Sequence, residues 1–298
     1  MISAHWGPQA RASENPNFKD PVPEHLIELP LNPVLHDWCK KLARSITAIG
    51  LERIGLVKKG DNVAKIIVNS IRDEGLTLED NDIIVISQKI ISKADGLTID
   101  LSTISPSQRA KQIAKRSRKD PRLIELILKD SSKVLRVDKQ ALVVARKDGF
   151  VCLNAGVDKS NVDGRQFYTR LPINSDESAY KLRAELEQLT GKRLSVIIGD
   201  TYSRPLRVGQ AEFAIGVSGL NPIADYRGHK DLFGYELKFK YVALADEIAA
   251  AAELVMGQGS EGVPVAIVRG LTRIERNEDI GLSKKLLLQK KLDIFSKR

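Results

Sequence analysis

The stretch Met256-Gly-Gln-Gly-Ser-Glu-Gly-Val-Pro-Val-Ala-Ile-Val-Arg-Gly270 restricts the fold of this chain more than any other segment. Gly257, Gly259 and Gly262 spell G-x-G-x-x-G, the string of a dinucleotide-binding turn. That turn needs a strand before its glycines and a helix after them. Here the order is reversed. Ala245 to Val255 has helical spacing, and Val263-Pro-Val-Ala-Ile-Val268 reads as a buried strand. Successive backbone N–H groups in such a turn can still wrap an anion. The pattern points to a phosphate-contacting turn of another kind and counts against a nicotinamide oxidoreductase.

Around this segment, short strands and helices alternate. Val63–Ile71 reads as a helix with Asp61 as N-cap, and Asp82–Ser87 as an interior strand. Ser105-Pro-Ser-Gln108 has the form of a helix start, with Ser105 as N-cap and Pro106 at the first helical position. Asp120-Pro121 opens another helix through Leu128. Val134–Val137, Ala141–Ala145 and Phe150–Leu153 read as a β-meander, and Ser175–Leu189 as a helix stopped by Gly191. Further strands are expected at Leu194–Ile198, Phe213–Val217 and Leu237–Ala243. No clean βαβ period emerges, so the expected class is α+β, with mixed or antiparallel sheets and packed helices. Residues 1–45 form an N-terminal extension without sustained periodicity, apart from a short amphipathic stretch at Leu35–Leu42. The catalytic domain is expected at 46–271, with a helical segment at 105–131. A charged helical tail at 272–298 carries Leu282, Leu286, Leu287 and Ile294 at helical spacing.

The net charge of +9 suits a polyanionic ligand such as a nucleotide. Nucleic acid fits poorly, because aromatics make up only 5% and do not interleave with the basic residues. The runs Lys111–Lys119 and Lys284–Lys291 read as solvated helix faces. No apolar run is long enough to span a membrane, no signal-peptide pattern opens the chain, and a cytoplasmic location is expected. Cys39 and Cys152 lack metal-ligand spacing, and Cys152 reads as a buried thiol. Three of the four histidines fall in the first 45 residues, and no G-x-S-x-G occurs. This supply of residues argues against zinc and against a hydrolytic triad.

Oxygen donors carry the remaining signal. Asn154-Ala-Gly-Val-Asp158-Lys-Ser-Asn161 follows one expected strand, and Asp200-Thr201 follows another. With the Gln258 amide they would suit a hard divalent ion shared with phosphates. Asp158 and Asp200 read equally well as turn or capping residues. Lys93 follows a buried strand and is placed to meet a phosphate. Arg204 and Arg207, just beyond Asp200-Thr201, are candidates for holding a substrate carboxylate. Walker A is absent, since Thr190-Gly-Lys-Arg193 lacks its first Gly and last Ser or Thr.

Six ordered blocks make the pattern specific: Ile90–Gly96, Asn154–Val162, Asp200-Thr201, Phe213–Gly219, Asp246–Ala250 and Met256–Gly270, with Leu232–Leu237 between them. In this order and spacing the chain resembles the GTP-dependent coenzyme F-420:L-glutamate ligases from about Ile49 to Leu271. The resemblance implies an α+β intertwined homodimer that joins L-glutamate to the coenzyme F-420 precursor, with GTP as cosubstrate. It implies two divalent ions, Mg²⁺ or Mn²⁺, on Asp158, Asp200, Thr201 and Gln258, and it admits K⁺. Implied GTP contacts are Glu52, Arg53, Ile54, Gly55, Gln88, Lys89, Lys93 and Asn161. The turn Met256, Gly257, Gln258, Gly259, Ser260, Glu261, Gly262 and Val263 completes that set. Two departures stand out: Gln88-Lys89 replaces small hydroxyl residues of some relatives, and Glu52–Gly55 lacks a proline-rich form. No fused nitroreductase-like domain is matched, and no membrane partner is implied.

Overall fold

The structure, a computed structural model, describes residues 45–288 except 140, 141, 163, 205 and 273. In chain order the strands are β1 (Thr47–Gly50), β2 (Ile83–Ser87), β3 (Thr98–Asp100), β4 (Ser131–Val137), β5 (Leu142–Arg146) and β6 (Val151–Leu153). They continue with β7 (Phe167–Thr169), β8 (Ser195–Ser203), β9 (Gln210–Ser218), β10 (Ala224–Asp225), β11 (Tyr241–Val242) and β12 (Val265–Arg269). The helices are α1 (Val63–Asp73), α2 (Gln88–Ala94), α3 (Gln108–Ser117), α4 (Pro121–Asp130), α5 (Ser175–Thr190) and α6 (Leu244–Met256). This is the expected α+β class, and the glycine-rich turn does run from a helix into a strand. The extension before 45, including Leu35–Leu42 and Cys39, and the tail beyond 288 lie outside the described residues.

A continuous apolar run such as Ile83-Ile-Val-Ile has no polar face, so both sides of its sheet must be covered. The main sheet has the order β1-β12-β2-β8-β9; only β2 and β8 are parallel, and the other pairs are antiparallel. Strand alternation sends Ile84, Ile86, Val196, Ile198 and Ile267 to one face, where α1, α2 and α5 pack with Ile67, Ile91 and Leu186. Ile83, Val85, Ile197, Ala266 and Val268 face α6, which contributes Ala245, Ile248, Ala249, Ala252 and Met256. Burying one such Ile or Val stabilises the fold by about 1.5–3 kcal/mol. A separate cluster joins α3 and α4 to the β4-β5-β6 meander through Ala110, Ile124, Ile127, Leu142 and Val144. Within β6, Cys152 is buried, and burial pushes its thiol up to about 12.

Carboxylates finish the outer border of the sheet. β9 is a terminal strand, and three of its N–H groups meet helical side chains. Glu253 Oε2 accepts from Glu212 N at 3.0 Å, Asp246 Oδ1 from Ala214 N at 2.9 Å, and Asp176 Oδ1 from Val217 N at 2.9 Å. Asp176 also accepts from Ser283 N and Oγ, at 3.1 and 2.8 Å, which ties the 3₁₀ turn Leu282–Leu286 to the body.

Local boundaries differ from expectation where polar residues compete for a cap. Asn62, not Asp61, caps α1 by accepting from Lys65 N, while Asp61 closes the preceding turn by accepting from Lys58 N. Ser107, not Ser105, caps α3 by accepting from Ala110 N. Asp120 caps α4, and Gly191 ends α5 in the left-handed conformation at φ 67°, both as expected. The strand expected at Leu237–Ala243 shrinks to Tyr241–Val242, because Phe239 and its neighbours stay exposed with no face to bury. Among the described residues no helix is long and apolar enough to cross a membrane.

Candidate active site at the carboxyl end of the parallel strands

In open sheets with parallel strands, ligands bind beyond the carboxyl ends of those strands. The β2–β8 pairing ends with Ser87 opposite Gly199, and β8 continues to Ser203. Because β12 runs antiparallel to β2, the glycine-rich turn opens at the same end, and Ser87 N donates to Pro264 O at 2.9 Å. β1 is antiparallel to β12, so residues 52–55 emerge there too, and Leu51 N donates to Val265 O at 2.9 Å. The loop 154–161 joins this end through side chains: Asn161 Nδ2 donates to Gly259 O at 3.1 Å across 98 positions. Five segments distant in sequence thus meet at one end of the sheet.

Lys89, in the first turn of α2, is the central cation. Its Nζ donates to Asp158 Oδ2 at 2.5 Å, Ser160 O at 3.0 Å and Ser160 Oγ at 2.7 Å. Lys93 lies one helical turn further on the same face. Burial, with the Lys89 charge nearby, pulls the Lys93 ammonium below its usual range. Gln88 is buried and its Oε1 accepts from Ser92 Oγ at 3.0 Å, so its side chain serves the helix. Glu52 and Gly55 are exposed, Ile54 is buried, and Arg53 N donates to Glu74 Oε1 at 2.9 Å.

The acids divide by their surroundings. Asp158 Oδ1 accepts from Lys159 N at 2.7 Å and Ser160 N at 3.1 Å, while Oδ2 faces Lys89 and the Ser160 hydroxyl. Burial would raise its pKa, but the Lys89 and Ser160 hydrogen bonds outweigh that and hold it low. Asp158 therefore closes a turn and also faces the site. At Asp200 burial wins: it pushes the carboxyl up to about 7, against the opposing pull of Lys89 and a backbone hydrogen bond from Thr201. Glu212, opposite Thr201 in the β8–β9 register, is pushed up to about 8 by burial and by the Asp200 charge. Gly199 makes room for it, since a Cβ there would overlap the Glu212 carboxylate. Thr201 Oγ1 lies 2.9 Å from Glu212 Oε2 and 2.8 Å from Gln258 Oε1. One hydroxyl proton serves only one of these two acceptors at a time.

The donor set of Asp158, Asp200, Thr201 and Gln258 is all oxygen, which fits a hard cation. Among the described residues no group of three or more His, Cys, Asp or Glu side chains is arranged to hold a metal. An ion here would complete its shell with substrate oxygens, as Mg²⁺ commonly does. In the glycine-rich turn, Gly259 N donates to Glu261 Oε2 at 2.7 Å, so one N–H of the anion-wrapping set is engaged internally. Gly257 sits at φ 70°, where a Cβ would also overlap Glu261.

Arg204 and Arg207 are set apart from this cluster. Both lie in the 204–209 loop beyond β8; Arg204 Nη2 donates to Val208 O at 2.8 Å, and Arg207 is exposed. Neither pairs with a site carboxylate among the described residues. Conversely, Ser160, Glu212 and Glu253 escaped the sequence reading. Glu253 did leave a signal, because a carboxylate in the last turn of a helix opposes the helix dipole and calls for another reason to be there.

Geometry defines a class first: an α+β protein with an oxygen-rich, lysine-bearing side-chain cluster at the carboxyl end of a parallel strand pair. Residues 52–270 match the family described as F420-0:Gamma-glutamyl ligase, and the chain belongs to that family. It is 47% identical over 250 residues to the "Coenzyme F420:L-glutamate ligase" of Methanothermobacter thermautotrophicus, covering 84% of this chain and 98% of that protein. Relatives of the same name from Methanocaldococcus jannaschii and Methanopyrus kandleri are 43% and 42% identical. They cover 86% and 84% of this chain, and 98% and 96% of their own lengths.

Proposed function

We propose that this chain is a GTP-dependent amide-forming ligase that adds L-glutamate to the glutamate-free precursor of coenzyme F-420, with further γ-linked glutamates as a continuation. The observation that carries this reading is the meeting of five segments at one sheet end, with Asn161 bonded to the turn at Gly259. Family membership supplies the substrate class. A carboxylate must gain a leaving group before an amine can displace it. The precursor's carboxylate attacks the γ-phosphate of GTP, giving an acyl phosphate and GDP. The deprotonated glutamate amine then attacks the acyl carbon, forming the amide and releasing phosphate.

The chain's own groups act on charge and position. Lys93 and Lys89 neutralise phosphate oxygens as charge shifts to the leaving GDP. The 256–263 turn donates N–H groups once Glu261 yields Gly259, and Asn161 and residues 52–55 hold the nucleotide. Asp158, Asp200, Thr201 and Gln258 would hold two Mg²⁺ or Mn²⁺ ions, with K⁺ an accessory, and these would offset charge on the transferring phosphoryl group. Arg204 and Arg207 receive substrate carboxylates; an unchanged KM for glutamate and for the precursor in Arg207→Ala would remove that residue from the scheme. The chain acts as a homodimer in this reading, supported by the exposed apolar side chains Leu206, Val208, Leu232, Phe233 and Phe239. Light scattering checks this directly, and a monomer would remove it.

Mass spectrometry tests the reaction: precursor, L-glutamate, Mn²⁺ and GTP are incubated with the protein. A GTP-dependent gain of one or more glutamyl units, with GDP released, is expected. Retained GTP binding without mass gain would point to another acid substrate in the same family, and loss of both would overturn the proposal.

A further inference from the structure

A side-chain amide is asymmetric: only its oxygen can ligate a hard cation, while its NH₂ can only donate. Gln258 lies just past the Gly257 cap of α6 and is exposed, so nothing in its own packing fixes which end faces the site. Two carboxylates decide it. Gln258 Nε2 donates to Glu253 Oε1 at 2.7 Å and to Glu212 Oε2 at 3.4 Å. The opposite orientation would place the amide oxygen against both acids. With the NH₂ held there, Oε1 faces the Thr201 hydroxyl at 2.8 Å.

We propose that Glu253 is a positioning residue that holds the Gln258 amide oxygen toward Thr201, with Glu212 as its second clamp. The inference rests on the reading of Gln258 as a metal ligand. The two clamps are themselves joined, because Glu253 Oε2 accepts from Glu212 N at 3.0 Å. One carboxylate therefore fixes both the amide and the strand opposite Thr201. Partners of this kind, which orient a ligand without touching the ion, change metal affinity by about 10–100-fold when removed.

The test is Mn²⁺ binding to the full chain, read from the electron paramagnetic resonance signal of the free ion and independent of turnover. Glu253→Ala, Glu253→Gln, Gln258→Ala and the double variant Glu253→Ala/Gln258→Ala are compared, with the melting temperature of each in the absence of metal. Glu253→Ala is expected to weaken Mn²⁺ binding about tenfold or more. The double variant should bind no more weakly than Gln258→Ala alone, since a clamp has no effect once its ligand is gone. A purely structural role for Glu253 would instead give additive losses, and would overturn the proposal. Should Glu253→Ala fail to fold, the near-isosteric Glu253→Gln carries the test, because it loses the charge and one of the two acceptors. If Gln258→Ala weakens Mn²⁺ binding while neither Glu253 variant does, the clamp is wrong and the ligand reading stands. If Gln258→Ala leaves Mn²⁺ binding unchanged, the ligand reading itself falls and the clamp with it.

Discussion

The two ends of the main sheet treat buried acids in opposite ways. At the amino end of β2, Asp82 is 1% exposed and is met by Arg269 from β12, with Nε to Oδ1 at 2.8 Å and Nη2 to Oδ2 at 2.7 Å. Glu79 Oε1 accepts from Arg269 Nη1 at 2.6 Å, and Glu79 N donates to Asp82 Oδ2 at 2.8 Å. Both Asp82 oxygens there have a matched donor. At the carboxyl end, half-buried Asp200 and buried Glu212 have no salt-bridge partner among the described residues, and burial lifts them to about 7 and about 8. A sheet can afford one such uncompensated end when the other is locked. The first is a fastening; the second keeps acids with raised pKa values, an arrangement that clusters at functional sites.

Breaking the unmatched end should affect chemistry and spare the fold. Asp200→Asn is expected to lower turnover by on the order of 10³-fold, a loss typical of removing a key electrostatic group. Its melting temperature without metal should hold or rise, because a costly buried acid is gone. Normal turnover would take Asp200 out of the site. Breaking the matched end should do the reverse. Asp82→Ala leaves Arg269 without its main partner and is expected to cost about 3 kcal/mol in denaturant unfolding, with kcat of the folded fraction unchanged. A stability loss well below this would show that the pair is no fastening.

The same contrast predicts a pH slope. The folded-state pKa values of Asp200 and Glu212, about 7 and about 8, lie above their ordinary values of 3.8 and 4.5. Between those limits the folded chain holds protons that the unfolded chain has released, so stability falls as pH rises from about 5 to 8. Each held proton contributes up to about 1.4 kcal/mol per pH unit. Melting temperatures of the metal-free protein across this range check the sign, and Glu212→Gln should flatten the slope. The smallest effect is expected for Asn161→Ala. Losing its exposed bond to Gly259 should change stability by less than about 0.5 kcal/mol, yet raise the KM for GTP several-fold.

What could be read from the residues follows from how local each cause is. The β2 run, the α6–turn–β12 order and the Gly191 stop are written in adjacent residues, and the structure has them. The choice of Asn62 over Asp61, or Ser107 over Ser105, depends on which neighbour reaches a free N–H, and periodicity carries no record of that. Only the apolar half of β8, Leu194–Ile198, was visible, because Gly199–Ser203 has the composition of a loop and becomes strand only by pairing with β9. The site shows the same limit. Asp158, Asp200 and the glycine turn announce themselves in sequence, whereas Glu212 enters through cross-strand register and Glu253 through the packing of α6 against β9. No spacing rule reaches across 41 positions to join them.

The three carboxylates that meet the outward N–H groups of β9 have one more effect. An open border of a sheet is a template on which a stray strand can add, in another molecule or in a misfolded copy. Glu253, Asp246 and Asp176 occupy the donors such a strand would need, and they present negative charge where its carbonyl oxygens would have to come. Growth of the sheet past β9 is thereby closed off, so aggregation by strand addition has no foothold on this side of the protein.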